Sequence, residues 1–175
     1  MQHKFTISLT GPESSGKTTL AQTLADYFQL PLVPEYARNF LLEGGKVTNS
    51  QNLIHLACQQ IQTEVRLLQT TPGGIICDTD MIVLKVWCME KFERVPIELN
   101  ALCKHHRYDL TLLCRPDLKW QPDPLRENPM DRDRLFNIYL EEIQKLKINF
   151  KVVEGLGSHR TLQAIKIVRE YLKLA

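Results

Sequence analysis

The sequence predicts an α/β fold in three layers, a five-stranded parallel sheet with helices on both faces. Three observations predict it. Short apolar runs alternate along the chain with amphipathic helical stretches, the pattern of strands joined by helical crossovers. A glycine-bounded loop, Gly11-Pro-Glu-Ser-Ser-Gly16-Lys17-Thr18, stands between the first run and the first helical stretch. Carboxylates, Glu35 and Asp78 among them, come just after apolar runs, and ligands of open parallel sheets gather beyond the strands' carboxyl ends.

The elements follow in order. Lys4–Thr10 reads as a strand because Phe5, Ile7 and Leu9 alternate. After the loop, Lys17–Phe28 reads as a helix with Leu20, Leu24 and Phe28 on one face. Pro31–Val33 is a short second strand that Pro34 ends. A helical stretch starts at Glu35 and breaks at Gly44-Gly45. The next helix carries Leu53, Ala57, Ile61, Val65 and Leu68 along one side. The turn Pro72-Gly73-Gly74 leads into Ile75-Ile76-Cys77, an apolar strand of the kind covered on both faces. Helices are expected over Met81–Phe92 and Pro96–Lys104, and a buried strand over Leu110–Cys114. Arg115–Pro129 holds four prolines and is too polar for core. A helix over Asp131–Leu146, a fifth strand over Phe150–Val153 and a last helix over Ser158–Leu174, with Ser158 as its N-cap, complete the chain.

The 175 residues suit one domain, 1–175, which buries about 70% of its unfolded surface. A hydrophobic fraction of 43% and a charged fraction of 24% are those of an ordinary globular protein, so disorder and collagen-like structure are excluded. The net charge of +2 gives no general footprint for nucleic acid. The apolar run around Met81–Met89 is interrupted by Lys85 and is far shorter than a membrane span. The N-terminus enters a strand with no secretory segment, so a cytoplasmic location is expected. Five cysteines, odd in number and widely spaced, read as small buried hydrophobes. His105-His106 has no zinc-like partners around it and reads as a helix end.

The loop is a complete G-x-x-x-x-G-K-T in strand–loop–helix context. At a glycine frequency of about 7%, a chance match in this length is roughly 1 in 200. Its chemistry explains its spacing. Backbone N–H groups of the loop cradle a β-phosphate, Lys17 neutralises β/γ oxygens, Thr18 offers a hydroxyl to Mg²⁺, and the helix N-terminus adds partial positive charge. The nucleotide-binding set is therefore Gly11, Glu13, Ser14, Ser15, Gly16, Lys17, Thr18 and Thr19, and the expected cofactors are ATP and Mg²⁺. Asp78, first after its strand, is the second metal residue. Asp80 either contacts the acceptor or caps the helix that follows. Pro34-Glu35-Tyr36-Ala37-Arg38 sits at the end of the second strand, where Glu35 takes a proton from an acceptor hydroxyl and Arg38 holds an anionic or transferring group. The alternative for Glu35 is a place in a helix's first turn, where negative charge suits the dipole. The segment 115–134 is a lid whose arginines stabilise the charge of a transferring phosphoryl group, with Arg126 first and Arg132 second. Trp120 shields the site or stacks on a ring. Trp87, on an apolar helix with Ile82, Val83 and Val86, reads as core.

Gly-x-Glu-Ser-Ser-Gly-Lys-Thr, Glu35-Tyr36-Ala37-Arg38, Asp78-Thr79-Asp80, Tyr108-Asp109 and Asp123-x-Leu125-Arg126 follow one another in this order. Together they resemble the ribosylnicotinamide kinase domain of NadR-type proteins and their stand-alone P-loop relatives, over about Phe5 to Val153. The resemblance implies a nucleoside/nucleotide-kinase-like P-loop NTPase fold, with ATP on the loop and Asp78 at the metal or the acceptor hydroxyl. It also implies a lid role for Arg126 and places Gly155–Arg160 where related kinases cradle adenine. The expected activity is transfer of the γ-phosphoryl of ATP to a hydroxyl of a small nucleoside-like acceptor, nicotinamide riboside first. The alternatives are a nucleoside monophosphate kinase, with Arg38 and Arg66 on the acceptor phosphate, and a slow NTP-hydrolysing module that switches a partner. Relatives that stack a nicotinamide ring carry an aromatic directly before Glu-Tyr-x-Arg, where this chain has Pro34.

Overall fold

The computed structural model describes residues 4–126 and 130–174. Five strands, β1 (Phe5–Thr10), β2 (Leu32–Val33), β3 (Gly74–Cys77), β4 (Leu110–Cys114) and β5 (Phe150–Val153), form one sheet in the order β2-β3-β1-β4-β5. Every pairing is parallel, with Ile7 beside Ile76 on one side and Leu110 on the other. The first strand is thus central, and its carboxyl end delivers the phosphate loop to the middle of the sheet's upper edge.

Side chains of a strand alternate between faces, and this divides the core. Ile7, Leu9, Ile76, Leu110, Leu112 and Cys114 pack against α1 (Lys17–Phe28) and α7 (Gly157–Leu174). Ile75 and Cys77 face the other way, toward Leu67 and Leu68 of α3 (Ser50–Thr70), while Leu113 meets Leu135, Phe136 and Tyr139 of α6 (Arg132–Lys145). On that second face α2 (Tyr36–Leu42), α3, α4 (Met81–Phe92) and α5 (Ile97–His105) share a further cluster around Leu53, Leu56, Leu84 and Leu99. The three-layer α/β fold and its five parallel strands are those expected from the sequence. Among the described residues no helix is long and apolar enough to cross a membrane.

The differences from expectation gather at helix starts. Glu35 is the N-cap of α2, in extended conformation and without a side-chain cap bond, instead of a first-turn residue. Helix α7 begins at Gly157, so Ser158 lies inside its first turn and is not the cap. Helices α5 and α6 each begin one residue later than expected, at Ile97 and Arg132, and neither Pro96 nor Asp131 before them makes a side-chain cap bond. Asn49, in contrast, forms a reciprocal capping box with Asn52 at the start of α3. Within the segment assigned to a lid, residues 115–126 form no helix or strand, and 127–129 lie outside the described residues.

Candidate active site

The loop after β1 carries positive φ at Gly11 (129°), Ser14 (53°) and Gly16 (79°). Gly11 requires glycine for space as well, because its neighbour is backbone, whereas Gly16 faces the movable tip of a side chain. A Cβ at Gly11 would stand 2.6 Å from the Cys114 carbonyl oxygen, and one at Gly16 would stand 2.6 Å from the Leu118 side chain. The loop is therefore seated on β4 below and touched by the lid segment above. Lys17 folds back so that its ammonium donates to the carbonyls of Gly11 (2.7 Å) and Pro12 (2.9 Å).

Arg160, from the first turn of α7, holds the loop from behind. It is 4% exposed. Its guanidinium donates to the carbonyls of Ser15 (2.6 Å) and Arg115 (3.1 Å) and to the Asp117 carboxylate (2.7 Å), which also receives the Gly155 N–H. The resemblance placed Arg160 at adenine. The structure has it lining the same cavity while both Nη groups are committed to the loop, Arg115, Gly155 and Asp117, and its buried Nε has no partner.

Asp78 lies beneath the loop at the end of β3, its own N–H donating to the Val33 carbonyl at 2.9 Å. It is 3% exposed, hydrogen-bonded by Thr18, and its Oδ1 has no partner. Burial raises its pKa to about 6, against the pull of Thr18 and Lys17. A buried carboxylate oxygen left over beside the loop threonine fits one divalent cation, since Mg²⁺ takes one or two protein oxygens and completes its shell with phosphate and water. Among the described residues there is no cluster of three His, Cys, Asp or Glu side chains able to hold a metal alone.

Glu35 faces the loop from the end of β2. Desolvation raises its pKa, with Glu13 in the same sense, and Lys17 and Arg38 oppose them. Arg38, one turn along α2, pairs with Asp123 of the lid segment at 2.6 Å. The segment is fastened further by Gln121, whose N–H donates to the Ser14 hydroxyl at 3.0 Å, and by Arg126, which donates to the Gln121 carbonyl at 2.6 Å. Arg132 donates to the Ser14 carbonyl at 3.2 Å and stands 5.7 Å over the Trp120 ring.

The loop, Gly11 to Thr19, borders one cavity of about 680 Å³ together with Glu35, Arg38, Gln121 and Arg126, while Asp78 and Arg132 do not line it and adjoin it through Thr18 and Ser14. Beyond them its wall includes Leu41, Val47, Val83, Val86, Trp87 and Tyr139, with Glu90 and Lys91 beside them. Four further sequence-derived assignments lie away from it. Asp80 is 1% exposed and commits its Oδ1 to the Ile82 and Val83 N–H groups and the Thr10 hydroxyl, so of its two readings the structure realises the cap of α4. Tyr36 packs into the α2–α5 cluster, and Trp120 packs under Arg132; neither borders the cavity. Arg66 is exposed on α3 and does not join Arg38 there. Trp87, read as core, packs against the α2–α5 cluster and is also a wall of the cavity. With it Val83, Val86, Glu90 and Lys91 line the cavity, at three- and four-residue spacing along α4.

The profile of the AAA domain family matches residues 6–160. The trifunctional NAD biosynthesis/regulator protein NadR of Escherichia coli (strain K12) is 28% identical over 95% of this chain and 42% of its own length. The NadR of Salmonella typhimurium is 27% identical over the same shares. The chain thus spans about two fifths of these curated relatives, and the resemblance inferred from its motifs holds. Among solved structures, a NadR protein in complex with NR is similar over 96% of this chain and 51% of that chain, with a TM-score of 0.80 and 22% identity. Thymidylate kinase from Ehrlichia chaffeensis is similar over 95% of this chain and 100% of that chain, with a TM-score of 0.65 and 16% identity.

Proposed function

The chain belongs to the AAA domain family, and from that premise we propose that it is a P-loop kinase. It moves the γ-phosphoryl group of ATP to a hydroxyl of a nucleoside-like acceptor, nicotinamide riboside being the first choice. The observation that carries the reading is the single cavity with two unlike ends. One end is a phosphate cradle headed by Lys17, the other a largely apolar chamber walled by Trp87, Val83, Val47 and Tyr139 with Glu90 and Lys91 beside them, and Glu35 lines the same cavity. A hydrolytic switch has no use for the second end.

Loop N–H groups and Lys17 bind the β- and γ-phosphates, and Lys17 leaves the Gly11 and Pro12 carbonyls to do so. Thr18 and the free Oδ1 of Asp78 would hold Mg²⁺, which when bound supplies charge neutralisation at the phosphate oxygens. Glu35 accepts the proton of the attacking hydroxyl; its desolvated carboxylate is a stronger base than one in water. The acceptor oxygen then bonds to the γ-phosphorus as the bond to the bridging oxygen breaks, and ADP leaves. Arg126 and Arg132, already fastened near Ser14, stabilise the charge of the transferring group from the lid side. A monophosphate acceptor is disfavoured, since Arg38 is engaged by Asp123 and Arg66 is remote.

The test is turnover of purified protein with ATP·Mg²⁺ and a panel of nucleosides that includes nicotinamide riboside. ADP and a nucleoside 5′-phosphate should appear in equal amounts. Glu35→Gln should lower kcat by about 10² to 10³ with ATP affinity unchanged. Binding of ATP without any acceptor-dependent ADP across the panel would refute the kinase and leave the slow NTPase.

A further inference from the structure

Gln60 and Glu64 lie one turn apart on α3, each 1% exposed, and neither borders the cavity. Polar groups so deep are costly unless each donor and acceptor is matched, and here the matching has a direction. The Glu64 carboxylate receives the Gln60 Nε2 (3.0 Å) and the Tyr108 hydroxyl (3.1 Å), and it lies 2.6 Å from His106 Nε2. With its amide nitrogen committed to Glu64, Gln60 must turn its oxygen the other way. That oxygen accepts the backbone N–H of Tyr36 at 2.9 Å.

The Tyr36 N–H is the first of α2, one of the donors a helix start leaves without a partner. Glu35, the N-cap, offers it nothing from its own side chain. The start of α2 is therefore pinned by α3, one residue from the group read above as the base. We propose that Gln60, oriented by Glu64, is a positioning residue for Glu35: it fixes the start of α2 so that the Glu35 carboxylate meets the acceptor hydroxyl. This rests on the kinase reading and on Glu35 as its base. Gln60 touches neither nucleotide nor acceptor, and its effect falls on the chemical step.

Two variants test it. Gln60→Leu removes the acceptor for Tyr36 N–H and a donor for Glu64. It should lower kcat 10- to 100-fold, the scale of a misplacement of about 1 Å, with the KM for ATP within twofold, and should speed exchange of the Tyr36 amide. Gln60→Glu is the sharper case. While protonated, the introduced carboxyl group copies the amide, one oxygen accepting from Tyr36 and the O–H donating to Glu64, whereas two ionised carboxylates at that distance repel. The groups facing Glu64 are His106 at the end of α5, Tyr108 before β4, Cys77 on β3 and Asp80 at the head of α4. All are present in the unsubstituted protein too, so the difference between the two pH profiles isolates the shared proton. In Gln60→Glu, kcat should approach the unsubstituted value at low pH and fall away as pH rises, a limb the unsubstituted protein lacks. Superimposable profiles, or a Gln60→Leu kcat within twofold of the unsubstituted protein, overturn the positioning role alone. Absence of nucleoside phosphorylation in the unsubstituted protein overturns the kinase reading and this role with it.

Discussion

Asp78 and Asp80 sit two residues apart at the end of one buried strand, and the structure gives them different work. Both are desolvated, with pKa values raised to about 6 and about 7. Asp80 has hydrogen bonds on one oxygen from a hydroxyl and two helix N–H groups, which is the work of a cap. Each keeps one buried oxygen without a partner, Oδ2 in Asp80 and Oδ1 in Asp78, but only Asp78 is bonded by Thr18 of the phosphate loop. A carboxyl whose folded pKa exceeds its unfolded value stabilises the fold at low pH, and that contribution is lost as pH rises through the folded value. In the nucleotide-free protein, the charge on Asp78 above pH 6 is therefore a cost, on the order of 2–3 kcal/mol at about 1.4 kcal/mol per unit. Asp78→Asn should raise the melting temperature at pH 8, with a smaller gain at pH 5, and should reduce Mg²⁺-dependent turnover by at least about 10²-fold. Paired thermal melts at the two pH values, beside a kinase assay, check both halves. A lower melting temperature at pH 8 would show that the contacts of Asp78 outweigh its desolvation.

At the scale of elements, the phosphate loop is a joint between β1, β4, α7 and the lid segment. Arg160 makes that joint. It spans Ser15, Arg115, Gly155 and Asp117, which no lysine ammonium can do from one position. Arg160→Lys should weaken binding of a non-hydrolysable ATP analogue by about tenfold, as loss of one charge-assisted bond of about 1.5–3 kcal/mol implies. Titration calorimetry reads this directly, and an unchanged affinity would reduce Arg160 to packing. The elements also show which parts of the site were legible in the sequence. The loop was, since its chemistry needs particular residues at consecutive positions. The Trp87 wall was not separable from core because α4 is apolar nearly all round: Ile82, Leu84, Val86 and Cys88 are buried, while Val83 and Trp87 turn to the cavity. The bond of Gln60 to Tyr36 left no signal. The partner is a backbone N–H 24 residues away, and a backbone group has no identity in a sequence.

For the whole molecule, the architecture was readable because the alternation of strand and helix restricts a parallel sheet to few arrangements. The helix starts were missed by a residue where capping chemistry is absent, as at Glu35 and Asp131. The small net charge conceals a division of labour. Arg38, Arg126, Arg132 and Arg160 all border or adjoin one cavity, and each is already engaged by a carbonyl or a carboxylate. Ligands bind a folded molecule of this kind and not the open chain, so nucleotide and acceptor together should stabilise it by mass action. At a hundredfold excess over Kd each adds about 2.7 kcal/mol, or roughly 5–10 °C in melting temperature for a chain of this size. Differential scanning fluorimetry with a non-hydrolysable ATP analogue should show the nucleotide shift first and a further shift with each acceptor that binds. No added shift from any nucleoside would locate the apolar chamber outside the acceptor path.

The long reach of Arg160 sets an order of events during synthesis. The phosphate loop leaves the ribosome well before its partners: Ser8 of the strand beneath it bonds Thr111, 103 positions later, and the Ser15 carbonyl waits for Arg160, 145 positions later. Strands β1, β3 and β2 have all their partners for one another long before that. A nascent chain therefore carries part of the sheet early, and its loop stays unfastened on the Arg160 side until α7 is made.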